Sequence, residues 1–167
     1  LRYYKGLHTL ISVAKSVNSK IVIAGSGPEE AKLKKQVEDL ELKNVIFAGQ
    51  VSDEEKVSLI KNCKAFILPS HLRSEAYGMV LVEASMMGKP MISCEIGTGT
   101  SFVNKHEETG LVVKPENVDE MADAMRMLLD KNTLSQKLGH NARSRYESMF
   151  SGKALGKAYS AVYQELL

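Results

Sequence analysis

"KIVIAGSGPEEAKLKKQVEDLELKNVIFAG", residues 20–49, indicates the fold class of this chain. Each end is a short apolar run rich in β-branched residues, and a longer charged segment with helical spacing lies between them. The pattern predicts a strand, a helix and a second strand. Because both strands are continuously apolar, they are typical of a parallel sheet that is covered on both faces.

The same alternation continues along the rest of the chain. Further strands are predicted at 64–69, 90–94 and 109–113, and helices at 5–17, 52–62, 78–88, 100–105 and 117–130. Two more helices are predicted at 132–148 and 152–166, and the last carries an apolar stripe of Leu155, Tyr159, Val162 and Leu166. Strands separated by helices predict the α/β class, a doubly wound, Rossmann-like parallel sheet with extra C-terminal helices. No repeat or linker divides residues 1–167, so we predict one domain.

Composition excludes several classes of protein. The 167 residues carry a formal net charge of +2, which gives no general attraction to nucleic acid. Cys63 and Cys94 lie in apolar segments, as expected for reduced thiols in a cytoplasmic protein. No apolar run reaches the ~18 residues of a transmembrane helix, and no signal peptide precedes Leu1. The opening "LRYYKG" lacks an initiator Met, so we expect a piece of a longer protein.

The loop after the first strand contains Gly25 and Gly27, which permit a tight strand-to-helix turn. A dinucleotide fingerprint would have a third glycine where this chain has Glu30, which disfavours a dehydrogenase. Two interpretations remain open at this point: a plain tight turn, and a loop that lines a ligand with its backbone.

A second loop, in "SEAYGMVLVEASMMGKP" at residues 74–90, leads into a helix that is apolar except for one carboxylate. The first amides of a helix lack intrahelical partners and attract anions, which predicts a phosphate site at Gly78, Met79 and Val80. Glu75 precedes these amides, and Glu83 lies about 7.5 Å beyond Gly78 along the helix. The layout suits a nucleoside diphosphate sugar, with ribose at Glu83 and hexose at Glu75. The alternative is a capping acid at 75 and a structural ion pair at 83.

Other candidate groups follow the remaining strands. Lys5, before the first helix, is either the cation for a diphosphate or a solvated surface charge. The loop "EIGTGTSFVN" offers Thr98 and Gly99, which either bind a sugar or phosphate oxygen or form a flexible turn. The histidines at 8, 71, 106 and 140 show no metal-ligand spacing, so no metal site is predicted.

Five segments together resemble the carboxyl-terminal, donor-binding domain of the retaining glycosyltransferases of family 4, which have the GT-B architecture. They are "KG" (5–6), "GSGPE" (25–29), "FAGQVSDEE" (47–55), "ILPSHLRSEAYGMVLVEASMMGKPMI" (67–92) and "ETGLVV" (108–113). The resemblance covers nearly the whole chain and centres on the two acids Glu75 and Glu83. Tyr77 departs from the more usual Phe.

The resemblance implies roles for individual residues. Glu83 would bind the donor ribose, and the amides near Gly78 the distal phosphate. Glu75 at the donor sugar and Lys5 at the diphosphate would be the catalytic residues. Val51 would present its backbone to the nucleotide base. The donor would be a UDP or GDP sugar, with no cofactor and no metal.

The resemblance also implies the reaction. The enzyme would move a hexose, with retention, onto a growing lipid-linked saccharide of a bacterial O-antigen or capsule, at the inner membrane face. An amino-terminal domain absent from this chain would bind that acceptor, so the chain alone would be inactive. The alternatives are a GT-B sugar-nucleotide epimerase domain and a non-catalytic nucleotide-binding module.

Overall fold

The computed structural model describes residues 1–165 of the chain. Its strands are β1 (Ile21–Ala24), β2 (Val45–Gly49), β3 (Phe66–Leu68), β4 (Met91–Cys94) and β5 (Gly110–Val113). Its α-helices are α1 (Leu7–Val13), α2 (Glu30–Asp39), α3 (Asp53–Asn62), α4 (Met79–Met86), α5 (Thr100–Val103), α6 (Val118–Asp130), α7 (Asn132–Arg145) and α8 (Gly152–Glu165). A 3₁₀ turn, Tyr3–Lys5, precedes α1, and a π-helical turn, Tyr146–Phe150, follows α7. The predicted α/β order is confirmed.

The first helix is shorter than predicted, ending at Val13 instead of at residue 17. The side-chain amide of Asn44 donates hydrogen bonds to the carbonyl oxygens of Ala14, Val17 and Ser19. These bonds satisfy carbonyl groups of the segment that follows the helix, so the chain can turn toward β1.

The strands are all parallel, but they pair as two sheets instead of the single sheet predicted. β1 pairs with β2, and β4 lies between β3 and β5. A cavity of about 740 Å³ lies between the two sheets, lined by 19–25 on one side and by 64–69 on the other. Because β1 and β3 do not hydrogen-bond to each other among the described residues, each presents a free edge to this cavity.

Apolar side chains pack on both faces of the three-stranded sheet. One cluster joins α1, α6 and β1 to Ile92, Cys94, Leu111 and Val113, and the other joins α4 to Leu68, Met91 and Phe150. β4 is buried at every position. The β1–β2 pair departs from the prediction, because Val22 and Ile46 are each almost half exposed on its second face. α3, the nearest helix in sequence, buries only Ile60.

α8 has no buried residue. Leu155, Tyr159 and Val162 of its predicted apolar stripe are 45%, 66% and 55% exposed. Leu166 lies outside the described residues. No helix within residues 1–165 is both long enough and apolar enough to cross a membrane.

Candidate functional site

Most candidate residues lie in the loops that follow the carboxyl ends of β1, β2, β3 and β4, where ligands bind in parallel α/β sheets. The 3₁₀ turn that carries Lys5 lies beside the β3–α4 loop. The backbone N–H of His71, in that loop, donates a 3.0 Å hydrogen bond to the carbonyl of Tyr4. This bond fixes the two segments together.

Lys5 and Glu75 form an ion pair in which the Lys5 ammonium donates to Oε2 of Glu75. The Ser70 hydroxyl donates a 3.0 Å hydrogen bond to the same carboxylate oxygen. Glu75 is 9% exposed, so its charge is compensated where water has little access. The two residues that the sequence assigns to catalysis are therefore in direct contact.

Gly78 adopts a left-handed conformation, with φ of 76°, immediately before α4. A Cβ at this position would lie 3.0 Å from Cδ2 of Leu68 and 3.1 Å from Cδ1 of Leu81, so both geometry and space select glycine. Among residues 1–165, the structure gives no hydrogen-bond partner for three successive amides, those of Gly78, Met79 and Val80. The three amides of the predicted phosphate site are thus available at the positive end of the α4 dipole.

Glu83 uses one carboxylate oxygen in an ion pair. Its Oε1 is 3.2 Å from the ammonium of Lys56, which is also 3.2 Å from Asp53. Hydrogen bonds to Glu83 and Asp53 raise the pKa of Lys56. The second oxygen, Oε2, is buried and has no partner among the described residues. The ion pair that the sequence left as an alternative is present, and it leaves an acceptor for a ligand hydroxyl.

The loop after β4 packs against the β3–α4 loop. The N–H of Gly99 donates a 2.9 Å hydrogen bond to the carbonyl of Ala76, so that amide is not free for a ligand. A Cβ at Gly99 would lie 2.6 Å from Cδ2 of Tyr77, which shows that close packing requires glycine here. The Thr98 hydroxyl lies 3.2 Å from that of Thr100, at the start of α5.

The glycines after β1 form a tight turn. Gly25 has φ of 115° and Gly27 of 156°. The Gly25 amide donates a 2.6 Å hydrogen bond to the carbonyl of Gly49, and a Cβ at Gly27 would overlap the backbone of Leu1. The structure therefore contains the tight turn that was one of the two interpretations. Val51 lies in the loop between β2 and the capping box that starts α3 at Ser52.

Two histidines that the sequence treats as unrelated lie together. The rings of His8 and His71 meet edge to face, with centroids 5.1 Å apart, and Tyr3 stacks on His8. Nε2 of His8 is 3.4 Å from Oε1 of Glu116. Spacing along the chain gave no signal of this cluster. His71 and Glu116 follow β3 and β5, two strands of one sheet, and this placement could have indicated that these two side chains lie near each other.

The two cysteines are free thiols. Burial raises the pKa of the Cys94 thiol to about 12 and also raises that of Cys63. Both are therefore protonated near neutral pH, when a nucleophilic thiol would be a thiolate.

Residues 1–145 match the family described as "Glycosyl transferases group 1". An O-antigen chain mannosyltransferase C of Escherichia coli is 42% identical over 99% of this chain and 45% of its own length. A D-rhamnosyltransferase of Pseudomonas aeruginosa is 48% identical over 90% of this chain and 40% of its own length. The chain thus spans less than half the length of these curated relatives.

Solved structures show the same fold. A sucrose-phosphate synthase of Thermosynechococcus elongatus superposes with a TM-score of 0.87 at 26% identity, over 99% of this chain and 43% of that one. The Anabaena protein Alr3699/HepE, solved in complex with UDP, gives 0.90 at 21% identity, over 99% of this chain and 46% of that one. The family match covers most of the chain and agrees with this fold, and the chain therefore belongs to the group 1 family of glycosyl transferases.

Proposed function

We propose that this chain is the donor-binding domain of a retaining hexosyltransferase, and that it binds a nucleoside diphosphate sugar at the edge described above. One observation carries the proposal: three amides at the start of α4 have no partner among residues 1–165, and along the chain they lie between Glu75, which pairs with Lys5, and Glu83, whose Oε2 is likewise unpartnered in that range. An anion site with an acceptor on each side matches a diphosphate between two sugars.

In this proposal each group has a separate task. The amides of Gly78, Met79 and Val80 hold the distal phosphate, and Lys5 neutralises the diphosphate as it leaves. Fixed donors at the point where charge develops are the usual main source of catalysis in such a site. The proposed step therefore needs no metal ion at the phosphates.

Lys5 and Glu75 compensate each other in the structure, and donor binding changes this arrangement. A diphosphate beside Lys5 would share the ammonium, while Glu75 keeps the hydrogen bond from Ser70 and turns its free oxygen toward a sugar hydroxyl. Glu83 Oε2 accepts from the ribose. Backbone groups at Val51 contact the base, and the Thr98 hydroxyl contacts the donor sugar.

The acceptor is proposed to be a lipid-linked bacterial polysaccharide, assembled from the cytoplasmic side of the membrane. The relatives named as O-antigen mannosyltransferase and D-rhamnosyltransferase support a surface polysaccharide product. They are more than twice as long as the matched region, which supports a second, acceptor-binding domain in the full-length enzyme.

Isothermal titration calorimetry with UDP and GDP tests donor binding directly. We expect one nucleotide to bind per chain, and Lys5→Met to weaken it by about tenfold through loss of one charge-assisted contact. Lys43→Met is the matched control, since Lys43 is exposed before β2, at the opposite end of that strand. The proposal would be contradicted if neither UDP nor GDP bound, or if both variants lost the same amount of affinity.

A further inference from the structure

A second cluster of polar side chains lies next to the donor site and has no task in the proposed transfer. It consists of His8 in the first turn of α1, His71 in the β3–α4 loop and Glu116 in the loop between β5 and α6. Each residue offers one ligand atom, and the three ligand atoms all lie within 4.8 Å of one another. From this geometry we propose that the three residues, the His8–His71–Glu116 cluster, bind a divalent transition-metal ion of the zinc type.

The first argument is the state of His71. Its residue is 7% exposed, and both of its ring nitrogens are buried without a hydrogen-bond partner among residues 1–165. A buried imidazole normally has partners, because an unsatisfied polar atom is costly away from water. Tyr3 contacts the ring of His71 edge to face, and this ring contact supplies no hydrogen bond to the nitrogens of His71. A metal ion would satisfy one nitrogen directly.

The second argument is the spacing of the ligand atoms. Two ligands of a tetrahedral zinc ion are about 3.3 Å apart, given bonds of about 2.0–2.1 Å. Nε2 of His8 and Oε1 of Glu116 are already 3.4 Å apart. Their side chains are 32% and 56% exposed, so rotation of these two can close the remaining separation to the buried His71.

The chemistry of the ligands selects the class of ion. Imidazole nitrogen suits zinc, copper, nickel and iron, whereas magnesium and calcium prefer oxygen ligands. Two histidines and one glutamate are a known zinc set, with water as the fourth ligand. The ion would join α1 to two loops of the sheet edge. His71 packs closely against Gly6, since a Cβ added at Gly6 would lie only 3.4 Å from Nδ1 of His71. An ion held by His71 would therefore also fix the turn at Lys5 and Gly6.

Calorimetry with zinc chloride on the tag-free chain tests the site. We expect one zinc ion per chain, and at least a tenfold loss of affinity in each of His8→Ala, His71→Ala and Glu116→Gln. His106→Ala is the matched control, because His106 also lies beside a carboxylate, Glu107, at 3.9 Å, but belongs to no three-residue cluster in the described chain. This variant should bind zinc as tightly as the unmodified chain.

Cobalt provides a second readout that does not depend on the folding of the His71 variant. The Co²⁺-loaded chain should show the intense visible bands of tetrahedral coordination, and these bands should disappear in His8→Ala and Glu116→Gln, whose side chains are the more exposed. Lack of zinc uptake, equal affinity in all variants, or a spectrum of hexa-aqua type would each overturn the proposal. Because no nucleotide is present, these results are independent of donor binding.

Discussion

Replacement of Glu83 by Gln separates a ribose contact from a structural ion pair. In the structure Oε1 of Glu83 pairs with Lys56 at 3.2 Å, and Oε2 is buried and has no partner within residues 1–165. In the variant the amide carbonyl would face Lys56, since only oxygen accepts from the ammonium. The NH₂ group would then occupy the position of Oε2, where it cannot accept from a ribose hydroxyl.

The expected loss of nucleotide affinity follows from the removal of this one hydrogen-bond acceptor. A hydrogen bond to a charged group contributes about 1.5–3 kcal/mol, and the new NH₂ group recovers part of this by donating to a ribose oxygen. A net loss of about 1–2 kcal/mol corresponds to a Kd for UDP or GDP about 5- to 30-fold higher. Isothermal titration calorimetry at constant pH and ionic strength measures that ratio.

Lys56→Met is the matched control for Glu83→Gln. It removes the same ion pair but leaves the carboxylate of Glu83, so the Kd should change by less than about threefold. The two variants should melt within a few degrees of each other, since the ion pair is partly exposed. Unchanged affinity in Glu83→Gln, or an equal loss in both variants, would refute the ribose role and leave the ion pair as the only task of Glu83.

Three further predictions concern the stability and exposure of the fold. Asn104→Ala should lower the free energy of unfolding by about 2–4 kcal/mol in urea titrations. The buried side-chain amide of Asn104 forms hydrogen bonds with Ser93, Thr109 and the carbonyl of Leu111, and all three would lose a partner. The control Asn62→Ala should lower it by less than about 1 kcal/mol, and equal losses in the two variants would contradict the reasoning. Cys94 keeps its proton when folded, so its contribution to stability is full below its unfolded pKa of about 9 and is lost as pH rises toward about 12. Between pH 8 and 10 the free energy of unfolding of the unmodified chain should therefore fall by about 1 kcal/mol more than that of Cys94→Ala. Parallel pH profiles for the two chains would contradict the raised pKa of Cys94. The backbone amides of 152–165 should exchange hydrogen faster than those of α6 in a confirmed monomer, since α8 buries no residue; slow exchange there would mean that α8 packs within this chain.

Part of the local geometry of the candidate site follows from the sequence alone. The amides after Gly78 and the spacing of Glu75 and Glu83 depend only on a strand, a loop and a helix that are adjacent in the chain. Such features follow from the hydrophobic period and from the geometry of a helix start, which a sequence shows directly. The partners of these residues were not predictable in this way. Lys56 approaches Glu83 from a different helix, and Lys5 contacts Glu75 across 70 residues of sequence.

The sequence by itself determined the order of strands and helices, the parallel α/β class and the apolar stripe of α8. These properties are encoded by neighbours within a few residues, where periodicity and turn chemistry act. Only the tertiary structure decided that the strands form two sheets and that the Gly99 amide donates to the carbonyl of Ala76. It alone also placed His8 and His71 in contact beside Glu116. The physical reason is that hydrogen-bond partners and ligand clusters depend on distances between segments that are remote in the chain. Those distances are fixed by how the helices pack on the sheets, which local patterns do not specify.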